Sequence, residues 1–268
     1  MVKIYTTKVL KKLARNELSI RTEALQKDFG PVHAVRNLNL QVATGSRFGL
    51  LGPNGAGKTT TVRILAGLLR QTSGTAEVCG YDVSTHREQV KEVTGLLPES
   101  PGLFSKLSAR EFLELIGALN DISGSTLGRR ISRLLDTLGL EGRQDDLLES
   151  YSSGMKQKVL VASTLIHDPH LVFLDEPTSR LDPAASVLVK DLILALAEET
   201  DTSFFICTHI TNFAEDVCDI VGILNEGRLV TVGPPSEIVE GTSAQDLEDA
   251  YLRIVGGEVD REALLAWR

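Results

Sequence analysis

The chain has 268 residues, 42% of them hydrophobic and 24% charged, and its formal net charge is −8 at pH 7. This composition is typical of a globular protein with a sizeable core, and the acidic balance argues against a nucleic-acid-binding protein. No apolar run approaches the roughly 18 residues of a membrane-spanning helix, and the N-terminus lacks the apolar stretch of a signal peptide. The cysteines, Cys79, Cys207 and Cys218, lack metal-ligand spacing, which predicts free thiols in a reducing cytosol.

The N-terminal extension, residues 1–16, is basic, with four lysines and one arginine among apolar side chains. One interpretation is a surface helix that touches anionic lipid. The simpler interpretation is a frayed, solvated extension. Residues 17–240 are predicted to form the main domain, and the acidic, partly helical stretch 241–268 is predicted to form a C-terminal tail.

Strand patterns open the main domain. Leu18–Leu25 alternates as a strand does, the apolar positions of residues 35–42 suggest a second strand, and Gly45 marks a turn. The apolar run Phe48–Leu51 then predicts a buried strand. A buried strand is the context that the next motif requires.

The segment Gly52–Thr60, Gly-Pro-Asn-Gly-Ala-Gly-Lys-Thr-Thr, fits the phosphate-binding P-loop pattern, and a helical pattern follows it. Glycines let the backbone wrap closely round an anion, and the amide groups and helix N-terminus favour negative charge. Lys58 is predicted to reach the β- and γ-phosphates, and Thr59 to place its hydroxyl on Mg²⁺. An accidental match to a turn is the alternative. The predicted nucleotide-binding residues of this loop are Asn54, Gly55, Ala56, Gly57, Lys58, Thr59 and Thr60.

After short apolar runs at 76–79 and 93–97, the chain changes to helical spacing. The predicted helices are Ala109–Leu119, Leu127–Leu138 and Ser153–Ile166. Strand signals then return at 171–174, 203–207 and 221–224, with helical patterns between them. Because strands that alternate with helices form parallel sheets covered on both faces, the helical block is predicted to be an insertion into an α/β core.

The strand Leu171–Leu174 ends in the acidic pair Asp175 and Glu176. Its carboxyl end is expected at the same sheet edge as the P-loop. Asp175 is predicted to hold Mg²⁺, and Glu176 to orient or polarise the attacking water. The alternative is an acidic pair that caps a helix N-terminus.

Three further polar residues, Glu99, Asp182 and His209, follow predicted strands or the acidic pair. Each alone is more often a cap or a solvated side chain. Only their order and spacing relative to the P-loop and the acidic pair indicate a common site.

The segment that best distinguishes one protein family from others is Tyr151–Lys158, Tyr-Ser-Ser-Gly-Met-Lys-Gln-Lys. It resembles the signature of the ATP-binding cassette family, typically Leu-Ser-Gly-Gly-Gln, which other P-loop ATPases lack. The resemblance covers roughly residues 18–240. It implies an α/β fold with a P-loop NTPase (RecA-like) core, a mainly parallel sheet, N-terminal antiparallel β strands and an inserted α-helical subdomain at approximately 99–166.

The resemblance also implies roles for the matching residues. In the family, the signature of one subunit closes over ATP held by the P-loop of another, so Ser152 and Gly154 would contact the γ-phosphate across two chains. Phe29 would stack on adenine, and His209 would contact the γ-phosphate as a switch histidine. Glu99, where the family usually has glutamine, would contact Mg²⁺ and water. The predicted catalytic residues are Glu176, His209 and Lys58, and the predicted metal ligands are Thr59, Glu99 and Asp175.

Three positions depart from the family pattern. Ser153 replaces the first glycine of the signature pair, and its side chain either crowds the γ-phosphate or points away. Glu99 adds a negative charge where the family usually has glutamine. Arg180 replaces a glycine in the loop Ser179–Pro183, which is similar to the loop that couples the two ATP sites of a cassette dimer. Because none of these changes removes a predicted catalytic residue, we predict an active ATPase.

The resemblance favours the ATPase subunit of a transporter. An exporter is expected, because the segments 48–57, 97–104 and 247–252 are similar to those of antibiotic and multidrug exporter ATPases. The alternative is a soluble cassette ATPase that acts in assembly or regulation, for example on iron–sulfur scaffolds. A nucleotide kinase is a third hypothesis, against which the signature argues.

A chain with one P-loop and one signature is expected to form a homodimer or heterodimer of ATPase subunits around two ATP with Mg²⁺. An integral membrane permease would be a separate chain, which places this protein on the cytoplasmic face of the cell membrane. Leu103 and Phe104 either line the groove that receives a permease helix or are buried within the helical block. The sequence does not name the transported substrate.

Overall fold

The computed structural model describes residues 17–100, 102–179 and 181–256. The predicted N-terminal extension, Arg180 and residues 257–268 of the predicted tail lie outside the described residues. Within these limits, two β sheets and the helices that connect and cover their strands make up the fold.

The strands form one antiparallel and one mainly parallel sheet. In chain order they are β1 (Leu18–Phe29), β2 (Val32–Ala43), β3 (Arg47–Leu51), β4 (Ser73–Val78), β5 (Tyr81–Asp82), β6 (Thr94–Leu97), β7 (Leu171–Asp175), β8 (Ser203–Thr208), β9 (Ile220–Asn225) and β10 (Arg228–Gly233). The antiparallel sheet has the order β2–β1–β4–β5. The other has the order β10–β9–β3–β8–β7–β6 and is parallel except for the pair β10–β9. The predicted sheet types are therefore confirmed.

Helices connect most of the parallel strands. In chain order they are α1 (Lys58–Leu65), α2 (Arg87–Val93), α3 (Ala109–Leu119), α4 (Gly124–Thr137), α5 (Ser153–Leu165), α6 (Pro183–Glu199), α7 (Thr211–Val217), α8 (Pro235–Thr242) and α9 (Leu247–Val255). In addition, 3₁₀ turns at Glu141–Arg143 and Leu148–Ser150 lead into α5. No helix in the described part of the chain combines the length and apolarity needed to cross a bilayer.

Every residue of β3, β7 and β8 is buried. Continuous apolar strands of this kind are found where helices or a second sheet cover both faces. The rings of Phe48 and Phe205 stack with centroids 5.2 Å apart, and Phe173 meets Phe205 edge-on at 5.8 Å. This packed centre fixes the carboxyl ends of the three strands, at which the candidate site lies.

The helical block lies between β6 and β7 in the chain, as predicted. Helix α3 has the predicted bounds, and α4 and α5 differ from theirs only at the ends. A capping box of Ser108 and Glu111 starts α3. The buried face of α4 packs with α3 and α5 in one apolar cluster. This packing sets the position of the N-terminus of α5, where the signature segment lies.

Several elements were not predicted from the sequence, among them α2, α8 and β10. Helix α2 has seven residues and buries only Val90, so it shows no apolar face. Strand β10 is an edge strand whose conformation depends on its pairing with β9. Helix α8 spans the predicted boundary at residue 240, and α9 buries Leu247 and Ala250 against the core. The division into a main domain and a tail stays a prediction.

Candidate active site

A cleft of about 280 Å³ opens at the carboxyl ends of β3 and β7. This sheet edge is where open α/β folds bind ligands. Most of the residues predicted for phosphate and metal binding meet here, together with Ala34 from β2. The lining residues are Ala34, Pro53, Asn54, Gly55, Gly57, Lys58, Thr59, Thr60, Glu99, Asp175 and Glu176.

The P-loop backbone needs glycine at two positions. Gly55 and Gly57 have φ of +83° and +106°, which is the region that side chains rarely adopt. A Cβ atom at Gly57 would also lie 2.2 Å from the carbonyl oxygen of Ala34. The β1–β2 hairpin therefore packs directly on the loop. Sequence reasoning missed this contact, because nothing around Ala34 marks it as different from any other strand residue.

Lys58 begins α1 and is held inside the loop. Its side chain lies almost fully buried, and its Nζ donates hydrogen bonds to the carbonyl oxygens of Gly52, at 2.6 Å, and Pro53, at 3.2 Å. An ammonium group has three donors, so these two bonds leave the third for an anion in the cleft. The N-terminus of α1 adds partial positive charge at the same place.

Asp175 and Thr59 form the candidate metal site. The Thr59 hydroxyl donates to Asp175 Oδ2 at 2.8 Å, whereas Asp175 Oδ1 is buried without a hydrogen-bond partner. Burial raises the pKa of Asp175, and the nearby carboxylates of Glu99 and Glu176 raise it further. A cation at this point would satisfy the unpartnered oxygen and offset the repulsion.

The available ligand atoms fit a magnesium ion that is bound together with substrate, rather than a metal ion held by protein side chains alone. Among the described residues, no group of three or more His, Cys, Asp and Glu side chains is arranged to hold a metal ion. Mg²⁺ is commonly bound by one or two carboxylates together with water and the phosphates of a substrate. Thr59 and Asp175 match this pattern, and Glu99 lines the same cleft from an exposed position.

Glu176 follows β7 directly and has a left-handed backbone, with φ of +55°. Its side chain is 8% exposed, and its Oε1 lies 2.8 Å from Nδ1 of His209. Its Oε2 accepts a hydrogen bond of 3.2 Å from the hydroxyl of Thr208. The backbone N–H of Glu176 donates to the carbonyl of Cys207 on β8. The structure therefore brings together Glu176 and His209, two of the residues predicted to be catalytic.

Cys207 lies within this centre but does not offer a nucleophile. Burial raises the pKa of its thiol well above the usual range, and nearby Asp175 raises it further. A thiol of this kind stays protonated and unreactive at neutral pH.

Several predicted residues do not line the cleft. Ala56 is buried in the loop, where its N–H donates to the carbonyl of Pro53. Phe29 lies half exposed at the end of β1, with Nζ of Lys27 4.9 Å from its ring centroid. Ser152 and Gly154 lie at the start of α5, where the Ser152 hydroxyl caps the helix by accepting from the N–H of Met155.

The three departures from the family pattern lie in different places. Glu99 lines the cleft, and Ser153 is exposed as the first residue of α5. Arg180 is outside the described residues. The consequences of these departures for turnover stay predictions.

Sequence reasoning also missed Thr208 and Gln157. The buried side chain of Gln157 on α5 donates from Nε2 to the carbonyl of Pro177, which directly follows Glu176. Gln157 lies within the signature segment, but its contact with Pro177 spans 20 residues and that of Thr208 with Glu176 spans 32, so no local pattern predicts either contact.

The ABC transporter family model matches residues 35–179 of this chain. The bacitracin transport ATP-binding protein BcrA of Bacillus licheniformis is 40% identical over 79% of this chain and 68% of its own length. The chain belongs to the ATP-binding cassette transporter family. A second relative, the Nod factor export ATP-binding protein I of Cupriavidus metallidurans, is 35% identical over 85% of this chain and 75% of its own.

Solved structures of cassettes have the same fold. The ATP-binding subunit of an ABC transporter, 27% identical, superimposes with a TM-score of 0.81 over 88% of this chain and 98% of that chain. A dimeric ATP-binding cassette in a post-hydrolysis state, bound to ADP and Pi, has a TM-score of 0.74 at 23% identity over 80% and 98% of the two chains.

This cassette protein is therefore an ATP-binding and ATP-hydrolysing subunit of an ABC transporter, with a P-loop NTPase core. The comparisons support the transport function and not the assembly-factor alternative. Its relatives are named as ATP-binding proteins of transport and export systems.

Substituting Gly57 tests the close approach of the hairpin to the loop. We expect Gly57→Ala to lower the Tm of the nucleotide-free protein strongly, because the added methyl group meets the Ala34 carbonyl. Gly55→Ala is the matched control: its backbone is also left-handed, but its Cβ would meet open space, so it should carry only backbone strain of about 1–3 kcal/mol. Thermal unfolding of both variants measures the difference, and equal losses would contradict the contact.

Neutralising Asp175 tests whether its buried negative charge lowers the stability of the folded protein. Because its folded pKa lies above the ordinary 3.8, its stabilising contribution is full at acid pH and is lost as pH rises through the raised pKa. At neutral pH, Asp175→Asn should therefore raise the Tm of the metal-free, nucleotide-free protein. About 1 kcal/mol corresponds to roughly 2–4 °C for a protein of this size. The gain should shrink toward acid pH; a lower Tm of the variant at neutral pH would contradict the account.

Proposed function

We propose that this chain is the ATPase subunit of an exporter, in which two cassettes clamp two ATP molecules and drive a separate membrane permease. The named functions of two relatives, bacitracin transport and Nod factor export, support an export role. The main observation that supports ATP binding between two cassettes is that the cleft of one chain is incomplete. It contains the P-loop, Asp175 and Glu176, but its lining does not include Ser152 or Gly154.

A second copy of the chain would complete the cleft. Ser152 is exposed, and both signature residues lie at the N-terminus of α5, whose dipole favours an anion. In the proposed dimer they contact the γ-phosphate held by the P-loop of the partner. Each copy carries both halves of a site, so two identical chains suffice to form two complete sites.

Several side chains in or near the cleft have proposed roles. Lys58 donates its remaining N–H to the β- and γ-phosphates, and Phe29 stacks on adenine. Thr59 and Asp175, with Glu99, would hold Mg²⁺ and its water. When bound, Mg²⁺ would supply positive charge that offsets the charge of the phosphates.

Hydrolysis requires a group that orients and polarises water. Glu176 lies at the lining of the cleft, and one of its carboxylate oxygens takes the proton of the attacking water. The water oxygen bonds to the γ-phosphorus while the bond from that phosphorus to ADP breaks. His209 holds Glu176 Oε1 in this structure and contacts the γ-phosphate once ATP is bound.

The membrane partner is proposed to dock on the helical block at the cytoplasmic face of the cell membrane. Leu103 packs against the apolar core, whereas Phe104 is 60% exposed and its ring lies next to that of Phe112. An exposed aromatic ring on a loop is the kind of residue that anchors a partner. Phe104 is therefore the residue proposed to contact a permease helix.

The role of Glu176 is tested by Glu176→Gln. We expect the variant to bind Mg-ATP with the affinity of the wild type, because the amide has the same shape and the phosphate-binding groups are intact. Turnover should fall by about 10²–10⁴-fold, the usual contribution of a general base. Binding and steady-state phosphate release measure the two properties.

The matched control for this variant is Glu88→Gln, an exposed carboxylate in a surface pair with Lys91. It should keep both binding and turnover. Undiminished hydrolysis by Glu176→Gln would contradict the proposed mechanism.

A further inference from the structure

Thr208 ends strand β8 and is fully buried beside Glu176. Its hydroxyl donates to Glu176 Oε2 at 3.2 Å. The Thr208 hydroxyl oxygen, Oγ1, in turn accepts a hydrogen bond of 3.1 Å from the backbone N–H of Ile210. A hydroxyl has one hydrogen, and the Ile210 N–H occupies a lone pair, so the hydrogen is directed at the carboxylate.

Two neighbouring residues, His209 and Thr208, thus contact the carboxylate of Glu176, and their side chains differ in how freely they can move. Nδ1 of His209 bonds Oε1, but the His209 side chain is 56% exposed and lies beyond the end of the strand. Thr208 is inside the sheet, paired in register with Leu51 of β3. Its β-branched side chain has few alternative rotamers. One contact can therefore be released without disturbing the sheet, and the other cannot.

The carboxylate needs a fixed contact of this kind. Glu176 has a left-handed backbone, which favours neither a strand nor a helix. If His209 turns toward the γ-phosphate, as proposed, its bond to Oε1 is lost. The Thr208 hydroxyl is then the contact that keeps the carboxylate in place.

We propose that Thr208 is a positioning residue that holds Glu176 Oε2, so that Oε1 is the oxygen presented to the attacking water when His209 leaves it. This inference rests on the proposed function of Glu176. It assigns the two carboxylate oxygens different tasks, one anchored and one reactive. Thr208 itself touches neither substrate nor metal in this scheme.

The test is Thr208→Val, which keeps the shape and the β-branch but removes the hydroxyl. Misplacement of a reacting group typically lowers a rate by about 10²-fold, and we expect kcat to fall by about 10–100-fold. The KM for ATP should stay within about twofold, because the phosphate-binding groups are untouched. Thr208→Ser restores the hydroxyl and should recover kcat to within about threefold of the wild type.

A matched control is Thr22→Val, which removes another buried hydroxyl with one hydrogen bond, to the carbonyl of Leu38 in the antiparallel sheet. It should leave kcat unchanged. Full activity of Thr208→Val would overturn the inference. A loss of kcat that Thr208→Ser does not recover would also overturn it, because the effect would then come from packing of the side chain and not from its hydroxyl. So would a parallel rise of KM, because it would show a general disturbance of the ATP site.

Glu176→Gln is measured alongside to separate the two proposals. Loss of turnover in Glu176→Gln with normal turnover in Thr208→Val overturns the role of Thr208 alone. Normal turnover in Glu176→Gln overturns the proposed function itself. Loss of turnover in both, with recovery by Thr208→Ser, supports both.

Discussion

The parallel pairing of β3, β8 and β7 is the constraint on which the site depends. Strand β8 lies between the other two, with Leu51 opposite Thr208 and Asp175 opposite Cys207. The chain continues from these ends into the P-loop, His209 and Glu176. Strand β3 is more than a hundred residues from β7 and β8 in the chain. All three strands are nevertheless fully buried and end at the same edge of the sheet.

This edge concentrates opposite charges in a partly buried space. The carboxylate of Asp175, with an unpartnered oxygen, lies near Glu99 and Glu176, while Lys58 and the N-terminus of α1 face the same cleft. Without a ligand, the carboxylates repel one another and burial disfavours their charge. Mg-ATP, the proposed ligand, would bring a cation for the acids and an anion for Lys58 and the loop amides. In the proposed complex, each charged group of the site would therefore meet a charge of opposite sign.

The sequence predicted those parts of the molecule that depend on local patterns. Helix α3 was predicted with its exact bounds, because its apolar residues follow a helical period, and the acidic pair was recognised next to a continuous apolar strand. Strand β10 was missed because its conformation depends on pairing with β9, and Thr208 because its contact with Glu176 spans 32 residues. Such contacts depend on which strands lie next to each other in the sheet, and a local sequence pattern does not show this order.

The central claim is that two copies of the chain complete each other's sites around ATP. The most direct test is the molar mass of Glu176→Gln measured by light scattering, with Mg-ATP bound and again with ADP. The account predicts twice the mass of the 29.1 kDa chain with Mg-ATP and the mass of one chain with ADP. A particle of one chain that has Mg-ATP bound would contradict it.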